Sequence, residues 1–152
     1  MTGFLKLFDN YILFSALISW LVAQVLKTII YSIKFKTFNF ERLVGSGGMP
    51  SSHTATVIAL ATSIAIIEGM DSTYFAIAVI LAGLVMYDAT GVRRAAGEQA
   101  KVLNRLVFEH RDKDHPIKAD KVLKEFLGHT PLEVFGGAII GILIPLLLFR
   151  VW

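Results

Sequence analysis

Two histidines stand beside stretches built to start helices. His53 follows Gly45-Ser46-Gly47-Gly48-Met49-Pro50-Ser51-Ser52, a glycine-rich loop running into a helix with Ser51 or Ser52 as the N-cap. Free backbone N–H groups and the positive end of a helix favour an anion, phosphate above all. A histidine in that first turn can give a proton to a bound phosphate ester. The loop also reads more simply, as a membrane-entry turn with a capping serine and an interfacial histidine. His129 belongs to Gly128-His129-Thr130-Pro131-Leu132-Glu133. Thr130 and Pro131 read there as N-cap and first helical position, and Thr130 with Glu133 as a capping box. Glu133 is either that structural partner or the group that orients His129 and keeps one imidazole nitrogen free as a nucleophile, and the two roles are compatible.

Cations accompany the histidines. Arg93 and Arg94, in Asp88-Ala89-Thr90-Gly91-Val92-Arg93-Arg94, sit at the mouth of an apolar hairpin and suit bidentate recognition of phosphate oxygens. Snorkelling at the interface is the alternative. Asp88 ends an apolar segment, where a carboxylate is costly and usually paired, here with one of these arginines or a histidine. Lys27 lies about six residues inside another apolar segment, roughly 9 Å deep at ~1.5 Å per residue. Adjacent helical residues point about 100° apart. One arginine is therefore expected to meet phosphate and the other to pair with Asp88 or Glu98, or to face lipid headgroups. Arg94 stands four residues before Glu98, a helical ion-pair spacing, which leaves Arg93 for the phosphate. Two histidines, three cations and a helix N-terminus fit metal-free phosphoryl transfer through a phosphohistidine: one histidine attacks, the other protonates the leaving oxygen, and the cations hold the transition-state charge.

Other chemistries find less support. Glu109-His110-Arg111-Asp112-Lys113-Asp114-His115 has metal-ligating residue types but reads better as a solvated mixed-charge loop before Pro116. Cysteine is absent, which excludes disulfides, zinc thiolates and a thiol nucleophile. No zincin, Walker or serine-hydrolase motif occurs, and no cofactor is implied.

The elements that must position these groups follow from composition. The 152 residues are the length of one domain, 1–152. They are 55% hydrophobic and 18% charged, against about 25% charged for soluble domains. That excludes a disordered or nucleic-acid-binding chain and points to an all-α integral membrane bundle. Four apolar segments, near 11–33, 52–67, 73–87 and 131–149, approach the roughly 20 residues of a spanning helix. The first is too long, and too poorly preceded by charge, for a cleaved signal peptide. The second and third, joined by residues 68–72, form an antiparallel hairpin. Residues 92–108 read as an amphipathic helix at the membrane surface or against the bundle, and 117–127 as a second, shorter one.

Four spans put loops 34–51 and 88–130 on one side and both termini on the other. The loop side carries 13 of the 15 Lys and Arg residues, leaving Lys6 and Arg150 opposite. Such an excess marks the cytoplasm, so both termini are expected outside. Every candidate site residue then lies on the cytoplasmic side.

The motifs resemble the divergent branch of the type 2 phosphatidic acid phosphatase superfamily, related to vanadium haloperoxidases. The likeness covers roughly residues 10–148 and is carried by GGMPSSHTA (47–55), YDATGVRRAAGEQAKVLN (87–104) and GHTPLEVFGGAIIG (128–141). It implies that His53 is the general acid, that His129 is the nucleophile supported by Glu133, and that Lys27 with the Gly47-Gly48 to Ser51-Ser52 loop binds phosphate. The departures are specific. Ser52 replaces a glycine, Glu133 an aspartate, and Lys34 an arginine. Leu123 stands where a Ser-Arg pair would end, so Arg93 or Arg94 has to supply that charge. The superfamily's membrane members usually have six spans.

The resemblance and the residues together lead to a membrane phosphatase acting on a lipid phosphate or pyrophosphate monoester. A non-catalytic binder or transporter of phosphorylated lipids, and a small structural membrane protein, are the rivals. The expected partners are the bilayer and a phosphorylated lipid, with no nucleic acid, and a chain this small leaves pairing into a homodimer open. A bacterial plasma membrane is the default location and a plastid membrane the alternative. Because the native chain has no cysteine, a single cysteine reports topology cleanly. One placed at position 113 is expected to resist an impermeant thiol reagent in intact cells, and one at position 3 to label. The reverse pattern would put the loops outside.

Overall fold

The computed structural model describes residues 9–37, 47–109, 123 and 127–152. Asn10 opens the first helix, α1 (Tyr11–Phe35), its side chain accepting from Leu13 N at 3.0 Å. Helix α2 (Ser52–Ile67) starts at Ser51 and α3 (Thr73–Thr90) at Ser72, each cap hydroxyl accepting a first-turn N–H as the residue types predict. Gly91 ends α3, and α4 (Val92–Glu109) follows directly. Helix α5 (Pro131–Leu148) carries the complete Thr130–Glu133 capping box. All elements among the described residues are helical, as an integral membrane bundle requires.

Helices α1, α3 and α5 are long and apolar enough to cross a membrane. The expected second span is the 16-residue α2, which at ~1.5 Å per residue rises about 24 Å, short of a hydrocarbon core of about 30 Å. It is nonetheless the centre of the bundle, packed on by α1, α3 and α5. The third span runs to Thr90, past its expected end at Tyr87, and the amphipathic 92–108 segment is α4. The short helix expected over 117–127 and the charged stretch after Glu109 lie outside the described residues, apart from positions 123 and 127.

Side chains are sorted as lipid demands. Along α1 the buried row is Ser15, Ser19, Ala23, Gln24, Lys27 and Thr28, while Leu17, Leu21, Val25 and Ile29 face outward. With no hydrophobic driving force between helices in a bilayer, small residues mark the contact faces because they let backbones approach. The tightest contact is α5 on α2. A Cβ built at Gly137 would strike the Ser51 carbonyl, and one at Gly141 would lie 2.7 Å from both the Ala55 carbonyl and Ile58 Cβ. At the far end Tyr11 donates to the Pro145 carbonyl at 2.6 Å and packs edge-on against Phe149 and Trp152, an aromatic belt at that interface.

Gly137→Leu and Gly141→Leu should therefore each destabilise the detergent-solubilised protein by about 1–3 kcal/mol or more, the cost of overpacking. Gly83→Ala, where an added Cβ meets nothing within 4 Å, should be neutral or mildly stabilising. Thermal unfolding of the three variants checks the contrast, and equal melting at all three sites would contradict the packing.

Candidate functional site

Three helix ends meet at one place. The Ser51 N–H donates to the Glu133 carbonyl at 2.9 Å, joining the start of α2 to the first turn of α5. The His129 N–H donates to the Ala89 carbonyl at 2.8 Å, joining the entry of α5 to the end of α3. Gly128, with φ +79°, lies against the backbone of Arg93 and Arg94 so closely that no side chain fits. Those links bring the α3–α4 corner, and both arginines, to the histidine.

His129 is 4% exposed, and its Nδ1 lies 3.0 Å from Glu133 Oε2. A carboxylate can only accept, so Nδ1 carries the proton and Nε2 keeps its lone pair. The same Oε2 accepts from Thr130 N at 3.1 Å. Glu133 is thus helix cap and imidazole orienter at once. Burial, above all, holds the His129 pKa below the ordinary histidine range, with Lys27 and Arg93 pushing the same way and the Glu133 hydrogen bond and charge opposing.

Two cavities meet at His129. One, of about 150 Å³, is lined by His53, Asp88, Arg93, Gly128 and His129 among others. His53 is exposed on the first turn of α2. Arg93 donates from Nε to Asp88 Oδ2, which leaves its two Nη groups for an anion. The other cavity, of about 170 Å³, lies beside Gly47, Gly48, Arg94, Lys101, His129 and Glu133. The expected Arg94–Glu98 pair does not form. Glu98 instead accepts from Lys101 Nζ at 3.0 Å, and it is Arg93 that pairs with a carboxylate, Asp88, so the elimination that reserved Arg93 for phosphate does not hold, and only its place in the cavity with both histidines supports that role.

The remaining candidates lie behind these cavities. Ser51 is the N-cap and Ser52 the first helical residue, both essentially buried. The Ser51 Oγ accepts from Thr54 N at 3.4 Å and from Thr54 Oγ1 at 3.0 Å, so this hydroxyl builds the helix end. Lys27 is 3% exposed and donates from Nζ to Gln24 Oε1 at 2.9 Å and to Ser52 Oγ at 3.3 Å. Its Cγ passes 3.5 Å from where a Cβ of Gly48 would stand. Lys27, Ser51 and Ser52 line neither cavity. Gly45 and Ser46 of the loop lie outside the described residues, as do His110 and His115.

Three further residues bear on the site. Gln24 and Lys101 hold charged partners already named. Asn104 is buried and clamps position 123 through both its amide groups, donating to the Leu123 carbonyl at 2.9 Å and accepting from the Leu123 N–H at 3.0 Å. Gln24 was visible in the sequence as a polar interruption of an apolar span; Asn104 carries no such signal.

Comparison with known proteins agrees with the motifs. The uncharacterized membrane protein YuiD of Bacillus subtilis (strain 168) is 46% identical over 153 residues, covering 95% of this chain and 97% of the relative. No solved structure matches the chain. Residues 8–144 match the Divergent PAP2 family, from before α1 to within α5. With every candidate site residue inside that match, the chain is an integral membrane protein that belongs to the Divergent PAP2 family.

Proposed function

We propose that the protein is a metal-independent phosphatase of lipid phosphate or pyrophosphate monoesters, working through a phosphohistidine. The observation that carries this reading is that His129, with Nδ1 held by Glu133, shares one cavity with His53 and Arg93. His129 Nε2 attacks phosphorus, the phosphorus–oxygen ester bond breaks, and His53 gives its proton to the departing oxygen. His53 then takes a proton from water as that water attacks the phosphohistidine, releasing inorganic phosphate and restoring both groups. The Arg93 Nη groups face the charge that develops on the equatorial oxygens. The Lys and Arg excess of the loops supports a site that faces the cytoplasm at headgroup depth, with a bacterial plasma membrane as the default location.

A second reading, a non-catalytic binder or transporter of phosphorylated lipids, is favoured by one observation. Position 123 carries leucine where the superfamily has its Ser-Arg pair, and its backbone is taken up by Asn104.

Phosphate release from a panel of lipid phosphates by the purified protein separates the two. His129→Ala should abolish turnover and phosphoenzyme. His53→Ala should slow turnover by roughly 10²–10⁴-fold, with partial rescue by an activated leaving group that needs no proton. Full activity in His129→Ala would end the phosphohistidine mechanism. Arg93→Lys should lose most activity, because lysine cannot replace the planar fork, and Arg94→Lys should lose less. The pH profile has a defined sign. A nucleophile with a lowered pKa stays neutral to lower pH, so the acidic limb of kcat/KM, the one set by His129, should begin below about 6.5, while loss of the His53 proton sets the alkaline limb. A decline beginning well above that pH would show that His129 is not the group being protonated.

A further inference from the structure

A separate cavity, of about 390 Å³, lies at the end of the bundle opposite the histidines. Helices α1 and α3 both pack on α2 but, among the described residues, not on one another, so a cleft opens between them with α2 as its back wall. Its walls are apolar, with Leu13 and Ala16 from α1 and Leu60 and Ile64 from α2. Its rim is polar and lies at the helix ends. Asn10 caps the start of α1, Glu68 caps the end of α2, and Tyr74 stands in the first turn of α3. From rim to depth the cleft follows α1 from Asn10 to Ala16 and α2 from Glu68 back to Leu60. At ~1.5 Å per residue that is about 9–12 Å. A space of this size, apolar within and polar at one edge, has the character of a site for a bound molecule.

Depth decides between occupants. A hydrocarbon core is about 30 Å thick, so the cleft is no longer than one leaflet. A spanning helix from a second copy would find walls along less than half its length, whereas an acyl chain of the nearer leaflet is matched end to end. The rim decides the head. Glu68 is exposed, it is the one charged residue lining the cleft among the described residues, and its carboxylate has no ion-pair partner among them. Asp71 in the adjoining turn and Asp9 before α1 are acidic as well. A negative rim draws an ammonium group. Asn10 spends its Oδ1 on the Leu13 N–H, and its amide N–H groups can donate outward. Tyr74, 65% exposed, brings a second donor to the interface. We propose that the cleft is a lipid site in the leaflet opposite the histidines. It takes one acyl chain of a phospholipid whose head carries an ammonium, with Glu68 holding that ammonium and Asn10 and Tyr74 donating to phosphate or ester oxygens. The site stands apart from the reaction proposed above and does not depend on it.

The test uses the full chain in mild detergent, offered equal amounts of phosphatidylethanolamine and phosphatidylglycerol with the same acyl chains, and native mass spectrometry to count what stays bound. Wild-type protein should retain one phosphatidylethanolamine, preferred by roughly two- to fivefold, which is what one exposed ion pair supplies. Glu68→Gln should level the preference and Glu68→Lys should reverse it. Ala16→Phe, which fills the cleft, should lose the retained lipid whatever its head, whereas Leu21→Trp, on the outward face of α1, should keep it. If Ala16→Phe does not accumulate as folded protein, Leu13→Trp, at a less buried position of the same wall, is read in its place. Equal retention of the two lipids by wild-type protein, or a preference unchanged in Glu68→Lys, would overturn the assignment of the head. Undiminished lipid in the filled variant would overturn the site itself. A dimer that the filled variant dissociates would give the cleft to a second copy and overturn the proposal as well.

Discussion

Everything at the site hangs on Glu133. Its carboxylate accepts from the His129 ring and from the Thr130 N–H, its own N–H donates to the Thr130 hydroxyl, and its carbonyl receives the Ser51 N–H. One residue thereby caps α5, fixes a tautomer and anchors the start of the neighbouring helix. The cap and the imidazole share one carboxylate oxygen, Oε2, while the neighbouring helix is anchored through the backbone carbonyl. Buried polar networks of this kind are specifying when every member is satisfied and costly when one is not. Shortening the side chain by one methylene would leave the cap reachable and strain the imidazole contact, or the reverse.

The rest of the bundle is arranged to let that node form. Helices approach closely through Gly137 and Gly141 against α2, and through Gly128 against the α4 backbone. Bulky apolar side chains are turned outward to lipid, and the interior is largely alanine, serine and threonine. Such an interior contributes little by burial of apolar surface. Backbone proximity and hydrogen bonds hold it, and the same closeness lets a lysine and a glutamine be buried with their partners in reach.

Local features of the fold were legible in the sequence, and contacts between distant segments were not. Thr130, Pro131 and Glu133 lie within one turn, so their capping geometry follows from spacing alone. The starts of the apolar segments coincide with capped helix starts because lipid forces unbroken helices. The meeting of Ser51 with Glu133 and of His129 with Ala89 joins segments far apart in the chain, and no periodicity encodes it. Ion pairs were the least legible. Arg94–Glu98 and Glu98–Lys101 are both good helical spacings, and only the built helix shows that lysine takes the carboxylate.

The shortness of α2 has a consequence for who can enter. Ser52, at its start, meets Lys27, and α1 continues from Lys27 to Phe35, about 12 Å further at ~1.5 Å per residue. The floor of the site is therefore a dimple overhung on one side by the last turns of α1, while α3 and α5 end level with it. A molecule already tethered in the leaflet by its own hydrocarbon needs only to bend its head downward to reach such a dimple. A water-soluble phosphate ester must leave bulk solvent and gain no tail burial in return. On the proposed function, discrimination between the two then comes from partition into the bilayer, with no contact made to the tail at all.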